Sequence, residues 1–85
     1  MPKPPDYYAI IDGRATVEDP AGLARRRYEE GGFSDEALAI DLTWKFTPLV
    51  AEWERGESSP DLAEVSSDEA ERIIERLRTR WASAD

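Results

Sequence analysis

Three consecutive arginines, Arg25-Arg26-Arg27, are the densest chemistry in this 85-residue chain. Guanidinium forks recognise carboxylates and phosphates through paired parallel hydrogen bonds, so such a cluster can build an anion site. The element that carries them decides the matter. On a strand, Arg25 and Arg27 share one face and Arg26 takes the other, so the three cannot act as one clamp. Nineteen Asp and Glu against eleven Lys and Arg offer the alternative of cross-strand pairing with carboxylates, which is the preferred reading. A second stripe, Arg72, Arg76 and Arg80, recurs every four residues and would suit a nucleic-acid backbone. Interleaved Glu71 and Glu75 and a net charge of −8 favour a solvated helix face instead.

Carboxylates also come in pairs, at Asp35/Glu36, Glu52/Glu54 and Asp68/Glu69/Glu71. Acid–base catalysis needs two carboxyls in different environments, one of them desolvated. None of these pairs sits inside an apolar run, so each is expected to stay wet. Asp41 lies between Ile40 and Leu42 but should project to the polar face. The chain has no histidine and no cysteine, which removes the commonest general base, thiol chemistry, thiolate zinc sites and disulfides. No calcium loop, glycine-rich phosphate loop or nucleophile elbow is written in it. Tyr7, Tyr8, Ser34 and Lys45 have no recognisable catalytic partner. A non-enzyme without cofactor or metal is expected. Among three tryptophans, Trp44 and Trp81 fall on apolar stripes and read as core. Trp53, on a short helix with Leu49 and Val50, also reads first as core but is the one expected to be partly exposed, which makes it, with Glu52 and Glu54, the candidate interface anchor, and Arg25 and Arg27 a second candidate binding pair.

These residues need elements to hold them. Residues 1–6, with three prolines, read as a mobile lead-in. A β-rich run at 7–11 ends at Asp12-Gly13, which suits either a two-residue hairpin turn or a bulge in a strand reaching Val17. Asp19-Pro20-Ala21-Gly22 is the stronger turn, and 23–28 reads as a strand closed by Glu29-Glu30-Gly31-Gly32. Leu38, Ile40, Leu42, Trp44 and Phe46 alternate with polar or small residues, predicting one strand with a buried and a wet face. Phe33 through Leu38 also resembles a helix start, so a turn or single helical turn is expected at 34–37. Thr47-Pro48 opens a helix of about eight residues that Gly56 ends. Residues 62–65 fit an edge strand. Ser66 and Glu69 form a capping box, and Ala70, Ile73, Ile74, Leu77 and Trp81 make one stripe of a helix at 67–82. Residues 83–85 read as a disordered tail. The fold class is α+β: an antiparallel sheet of three to four strands in one domain at 7–82, the C-terminal helix packed on one face and a second short helix.

Arginine outnumbers lysine nine to two, alanine occurs eleven times, and asparagine and glutamine are absent, a usage typical of GC-rich genomes. Tyr7-Tyr8-Ala9, Asp19-Pro20-Ala21-Gly22-Leu23 running into Arg25-Arg26-Arg27, Asp41-Leu42-Thr43-Trp44, Glu54-Arg55-Gly56-Glu57, and Val65-Ser66 through Glu69-Ala70 spread over most of the chain. Together they resemble small uncharacterised proteins of high-GC actinobacteria, a resemblance that implies no activity and no functional residues.

Leu, Ile, Val and Phe make up just under a fifth of the residues, near the boundary with disorder, and six Trp and Tyr side chains shift the balance towards a modestly stable fold. No apolar run reaches the ~18 residues of a membrane helix, and no secretory leader is evident, so a cytoplasmic protein is expected. Residues 29–71 carry thirteen acids against two bases, whereas the flanking segments are slightly basic. That distribution suggests two electrostatically different sides and a protein partner with a basic surface that meets 29–71 first. An immunity- or antitoxin-like inhibitor or an adaptor fits this description. The alternatives are nucleic-acid binding through the arginine-rich strand and helix, a small carboxylate enzyme, or an acidic mimic of nucleic acid.

Overall fold

The computed structural model describes residues 3–57 and 60–82. Five strands, β1 (Asp6–Ile11), β2 (Gly22–Glu29), β3 (Gly32–Leu38), β4 (Trp44–Phe46) and β5 (Asp61–Val65), form one antiparallel sheet in the order β4-β3-β2-β1-β5. Helix α1 (Leu49–Glu54) follows β4, and α2 (Ser67–Ala82) ends the described chain. The α+β class is as the sequence indicates, but the sheet has five strands rather than three to four.

The extra strand arises where the alternation was clearest. The run from Leu38 to Phe46 is a hairpin, in which Leu38 lies opposite Trp44 and Ala37 opposite Lys45. Each paired couple sums to an even number, so residues of one parity share a face on both strands. Apolar alternation therefore passes through the turn without a break, and a hairpin reads like a straight strand. The turn is a three-residue loop: the Leu42 N–H donates to the Ala39 carbonyl at 2.8 Å, and the Ala39 N–H donates to that of Thr43 at 2.8 Å. Leu42 takes the left-handed conformation (φ 66°) that closes such loops. Residues 34–37, expected as a turn, lie in β3, with Asp35 and Glu36 opposite Arg26 and Arg25. The cross-strand arginines override the local capping signal.

The other connections are closer to expectation. Asp12-Gly13 makes neither a two-residue hairpin nor a bulge. It starts a ten-residue loop, residues 12–21, in which the Ala15 N–H donates to the Asp12 carbonyl at 3.0 Å and Pro20 is fully buried. β2 and β3 join through Glu30-Gly31, with Gly31 at φ 87° supplying the positive φ of a tight hairpin. β5 is an edge strand, as expected. β1 begins at Asp6, inside the segment read as lead-in, and residues 83–85 lie outside the described residues.

Both faces of the sheet are covered. On one, Ala70, Ile73 and Leu77 of α2 bury Ala9, Leu23 and Leu38, flanked by Tyr7, Trp44 and Trp81. On the other, Val50 of α1 packs with Tyr8, Ala24 and Leu62. The α2 bounds match the stripe, and the Ser66 Oγ accepts the Glu69 N–H at 3.1 Å as a capping residue should. Helix α1 is six residues long, too short to stand without this packing. Thr47 Oγ1 accepts the Leu49 N–H at 3.2 Å. At the far end, Gly56 N–H to the Trp53 carbonyl and Glu57 N–H to the Glu52 carbonyl form a Schellman closure around Gly56, φ 75°.

A left-handed leucine costs about 1–2 kcal/mol, offset here by the half-buried Leu42 side chain against the α2-side core. Leu42→Gly, which relieves the backbone but loses the packing, is expected to stay within ~1 kcal/mol of wild type, whereas Leu42→Ala, which keeps the strain, loses ~1–2 kcal/mol. Urea denaturation of the two variants checks the ordering.

Candidate functional site

The three arginines alternate across β2 as a strand requires, and each finds carboxylates. Arg26 faces α1. Its Nε and Nη2 donate to Asp35 Oδ1 and Oδ2 at 2.8 and 3.1 Å, and its Nη1 and Nη2 donate to Glu54 Oε2 and Oε1 at 3.1 and 2.9 Å. The guanidinium also stacks on the Phe33 ring, 4.0 Å from its centroid. Arg26 and Asp35 are buried, while the Glu54 side chain is 48% exposed. The hydrogen bonds that Arg26 donates to Asp35, before those it donates to Glu54, raise its pKa further above its ordinary value, against the opposing effect of burial. Asp35, expected to stay wet, is therefore a buried ion-pair partner.

Arg25 points to the α2 face. Its Nε donates to Glu36 Oε1 at 2.9 Å, and its guanidinium stacks on Trp44 at 4.0 Å. Trp44 in turn meets Tyr7 at 6.4 Å between ring centroids. Arg27 is exposed and reaches Glu29 at 3.1 Å and Glu36 at 3.6 Å. Carboxylate pairing thus accounts for the whole cluster.

The candidate residues do not form one site. Trp53, Glu52 and Glu54 belong to α1, on the face of the sheet opposite Arg25 and Arg27. Trp53 is half-buried against Tyr8, 5.8 Å between centroids, and its Nε1 donates to Asp61 Oδ1 at 2.7 Å. The Glu52 carbonyl takes part in the helix closure. Glu54 is brought to Arg26 rather than to Arg25 or Arg27. The expected electrostatic division is also blurred, because acids of 29–71 sit against the arginines of β2, and α2 carries both signs. Among the α2 arginines, Arg78 pairs with Glu75 at 2.8 Å, and Arg80 bonds the Pro20 carbonyl and Asp19. Arg72 and Arg76 line an open crevice of about 140 Å³ with Val17, Glu18, Glu69 and Ile73.

The alternation places Ile40 and Phe46 on the buried face, and the structure exposes both. Phe46, Ile40 and Phe33 are 78, 68 and 55% exposed, and all three lie on β3, β4 or the turn between them. The opposite edge, β5, turns Asp61 and Glu64 to solvent. In the β3–β4 turn, Asp41 Oδ1 accepts the Thr43 N–H at 3.1 Å and its hydroxyl at 2.6 Å, which lowers the Asp41 pKa, with a smaller contribution from Lys45. Lys45 Nζ lies 4.0 Å from Asp41 Oδ2. The sequence holds no signal separating these exposed apolar side chains from core ones.

No family model, curated protein or solved structure matches the chain. The function rests on geometry.

Asp35→Ala leaves the buried Arg26 guanidinium with half-exposed Glu54 as its one carboxylate and its Nε unsatisfied, so it is expected to cost ~2–3 kcal/mol in urea denaturation, and Glu54→Ala, at a half-exposed position, no more than ~1 kcal/mol. A second prediction concerns Tyr28, whose hydroxyl donates to Asp6 Oδ2 at 2.5 Å. That bond, more than burial, pushes its pKa up to about 12. Because the folded-state pKa is raised, the bond's contribution is complete below pH ~10, the unfolded tyrosine value, and fades as pH rises through the folded pKa. Spectrophotometric titration should show this late tyrosine in wild type and an earlier one in Asp6→Ala.

Proposed function

We propose that the chain is a non-enzymatic module that binds another protein through the β3–β4 edge of its sheet. The observation that carries this reading is that, among the described residues, two exposed large apolar side chains, Ile40 and Phe46, lie in the β3–β4 turn and on the edge strand β4, while the other edge is acidic. Exposed apolar groups of this kind mark interaction surfaces, and aromatic side chains supply interface anchors. The net charge of −8 supports a partner that is basic overall, drawn in by long-range attraction before the edge is engaged. An inhibitor of the immunity or antitoxin kind, or an adaptor, working inside the cell, is consistent with such a surface. Nucleic-acid binding is less well supported, because Arg25, Arg26 and Arg27 are already held by Glu36, Asp35, Glu54 and Glu29.

A photo-cross-linking amino acid placed at Phe46 in cells of the source organism is expected to trap one basic protein, with a yield that falls at high salt, and the same group at Glu64 is not. The trapped protein, purified, should bind Phe46→Ser at least tenfold more weakly than wild type, about 1.4 kcal/mol. Equal trapping at both positions, or equal affinity for Phe46→Ser, refutes the reading.

A further inference from the structure

The β4 edge can be read more closely than as an apolar patch. The Ala39 N–H bond to Thr43 and the Thr47 N–H bond to the Asp35 carbonyl, 3.0 Å, fix which residues of this hairpin point inward. In an antiparallel ladder the hydrogen-bonding residues alternate, so Thr43, Lys45 and Thr47 turn their backbone groups towards β3. Trp44 and Phe46 therefore turn their N–H and C=O groups outward, away from the sheet. Their side chains share the α2 face, whereas the side chain of Lys45 projects from the other face. The edge presents two backbone docking points one residue apart, two aromatic side chains on one face and a single cation between them on the other.

We propose that β4 accepts a sixth strand from the partner protein, an extended segment with an acidic residue opposite Lys45 and apolar residues on either side of it. This rests on the protein-binding reading above and specifies its occupant. Strand addition takes its affinity from main-chain hydrogen bonds and its specificity from alternate side chains. The apolar neighbours lie beside Trp44 and Phe46, and the acid completes a directly opposed charge pair with Lys45, whose contact with Asp41 is long and exposed. A second copy of this chain is the wrong occupant. Joining two β4 strands antiparallel with Trp44 of each facing Phe46 of the other satisfies the outward groups, but it sets lysine against lysine between two bodies of charge −8. Lysine in an edge strand is a common guard against self-pairing, and here it also selects the guest.

The test uses two capped peptides, Thr-Val-Glu-Val-Thr and Thr-Val-Lys-Val-Thr, titrated into isotope-labelled protein while backbone amide shifts are followed. The glutamate peptide is expected to shift the Trp44 and Phe46 amides and to bind about two- to tenfold tighter than the lysine peptide. Lys45→Glu should invert that preference, and Lys45→Gln, the milder change, should bring the ratio close to one. Equal affinity of both peptides for wild type, a preference unchanged in both Lys45 variants, or shifts centred on β5 overturn the proposal. So does concentration-dependent dimerisation of wild type in sedimentation, which would make the occupant a second copy. Peptides that leave Trp44 and Phe46 unmoved, alongside specific cross-linking at Phe46, overturn strand addition and leave the protein-binding reading standing. Peptide binding as expected with no specific adduct at Phe46 removes the partner reading instead.

Discussion

A guanidinium buried within a sheet must have its donors satisfied, because a stranded charge costs several kcal/mol even after relaxation. Arg26 meets that demand with two carboxylates from separate parts of the chain, Asp35 directly across in β3 and Glu54 at the end of α1. Two other features then follow. The β2–β3 register is fixed, since a slip of one residue would move every side chain of the strand to the wrong face and leave Arg26 without Asp35. The position of α1 is fixed as well, because six helical residues with one fully buried side chain, Val50, have few other anchors. Replacing such an ion pair by apolar residues is often neutral for stability.

The same parity sends Arg25 and Arg27 to the opposite face, where Glu36 serves both and Trp44 stacks on Arg25. Polar chemistry thus runs through the middle of a sheet whose two cores are small. On the α2 side, Ala9, Leu23, Leu38, Ala70, Ile73 and Leu77 close around one another. On the α1 side the cluster is smaller still, and Tyr8 and Trp53 supply much of its bulk. On its face, α1 packs against β2, β3 and β5.

What could be read from the residues, and what could not, divides along physical lines. Helix α2 was legible almost to the residue because capping, dipole-matched charges and a long apolar stripe all agree. The alternation of the arginines and the edge position of β5 were legible for similar reasons of periodicity. The β3–β4 hairpin was hidden because its even register keeps alternation intact through a turn, and because Leu42 occupies a left-handed position where glycine or asparagine would have announced the loop. Asp35 was misjudged because nothing local reveals a buried carboxylate whose partner lies nine residues earlier on another strand. Phe46 and Ile40 were misjudged because hydrophobicity gives the character of a side chain and not its cover.

The two edges of the sheet show how an acidic domain can keep one surface open for pairing. β5 is guarded by charge, with Asp61 and Glu64 outward and Asp61 engaged by Trp53. β4 is guarded by brevity and by Lys45, yet its Phe46 side chain stands largely exposed. A long, flat apolar edge would invite aggregation. Three residues with a central cation do not, because self-pairing opposes like charges both locally at Lys45 and globally across two molecules of net −8. Both repulsions vanish for a basic partner whose strand carries one well-placed acid. On the strand-addition proposal, the like charges that oppose self-pairing are the same ones that would make the edge discriminating.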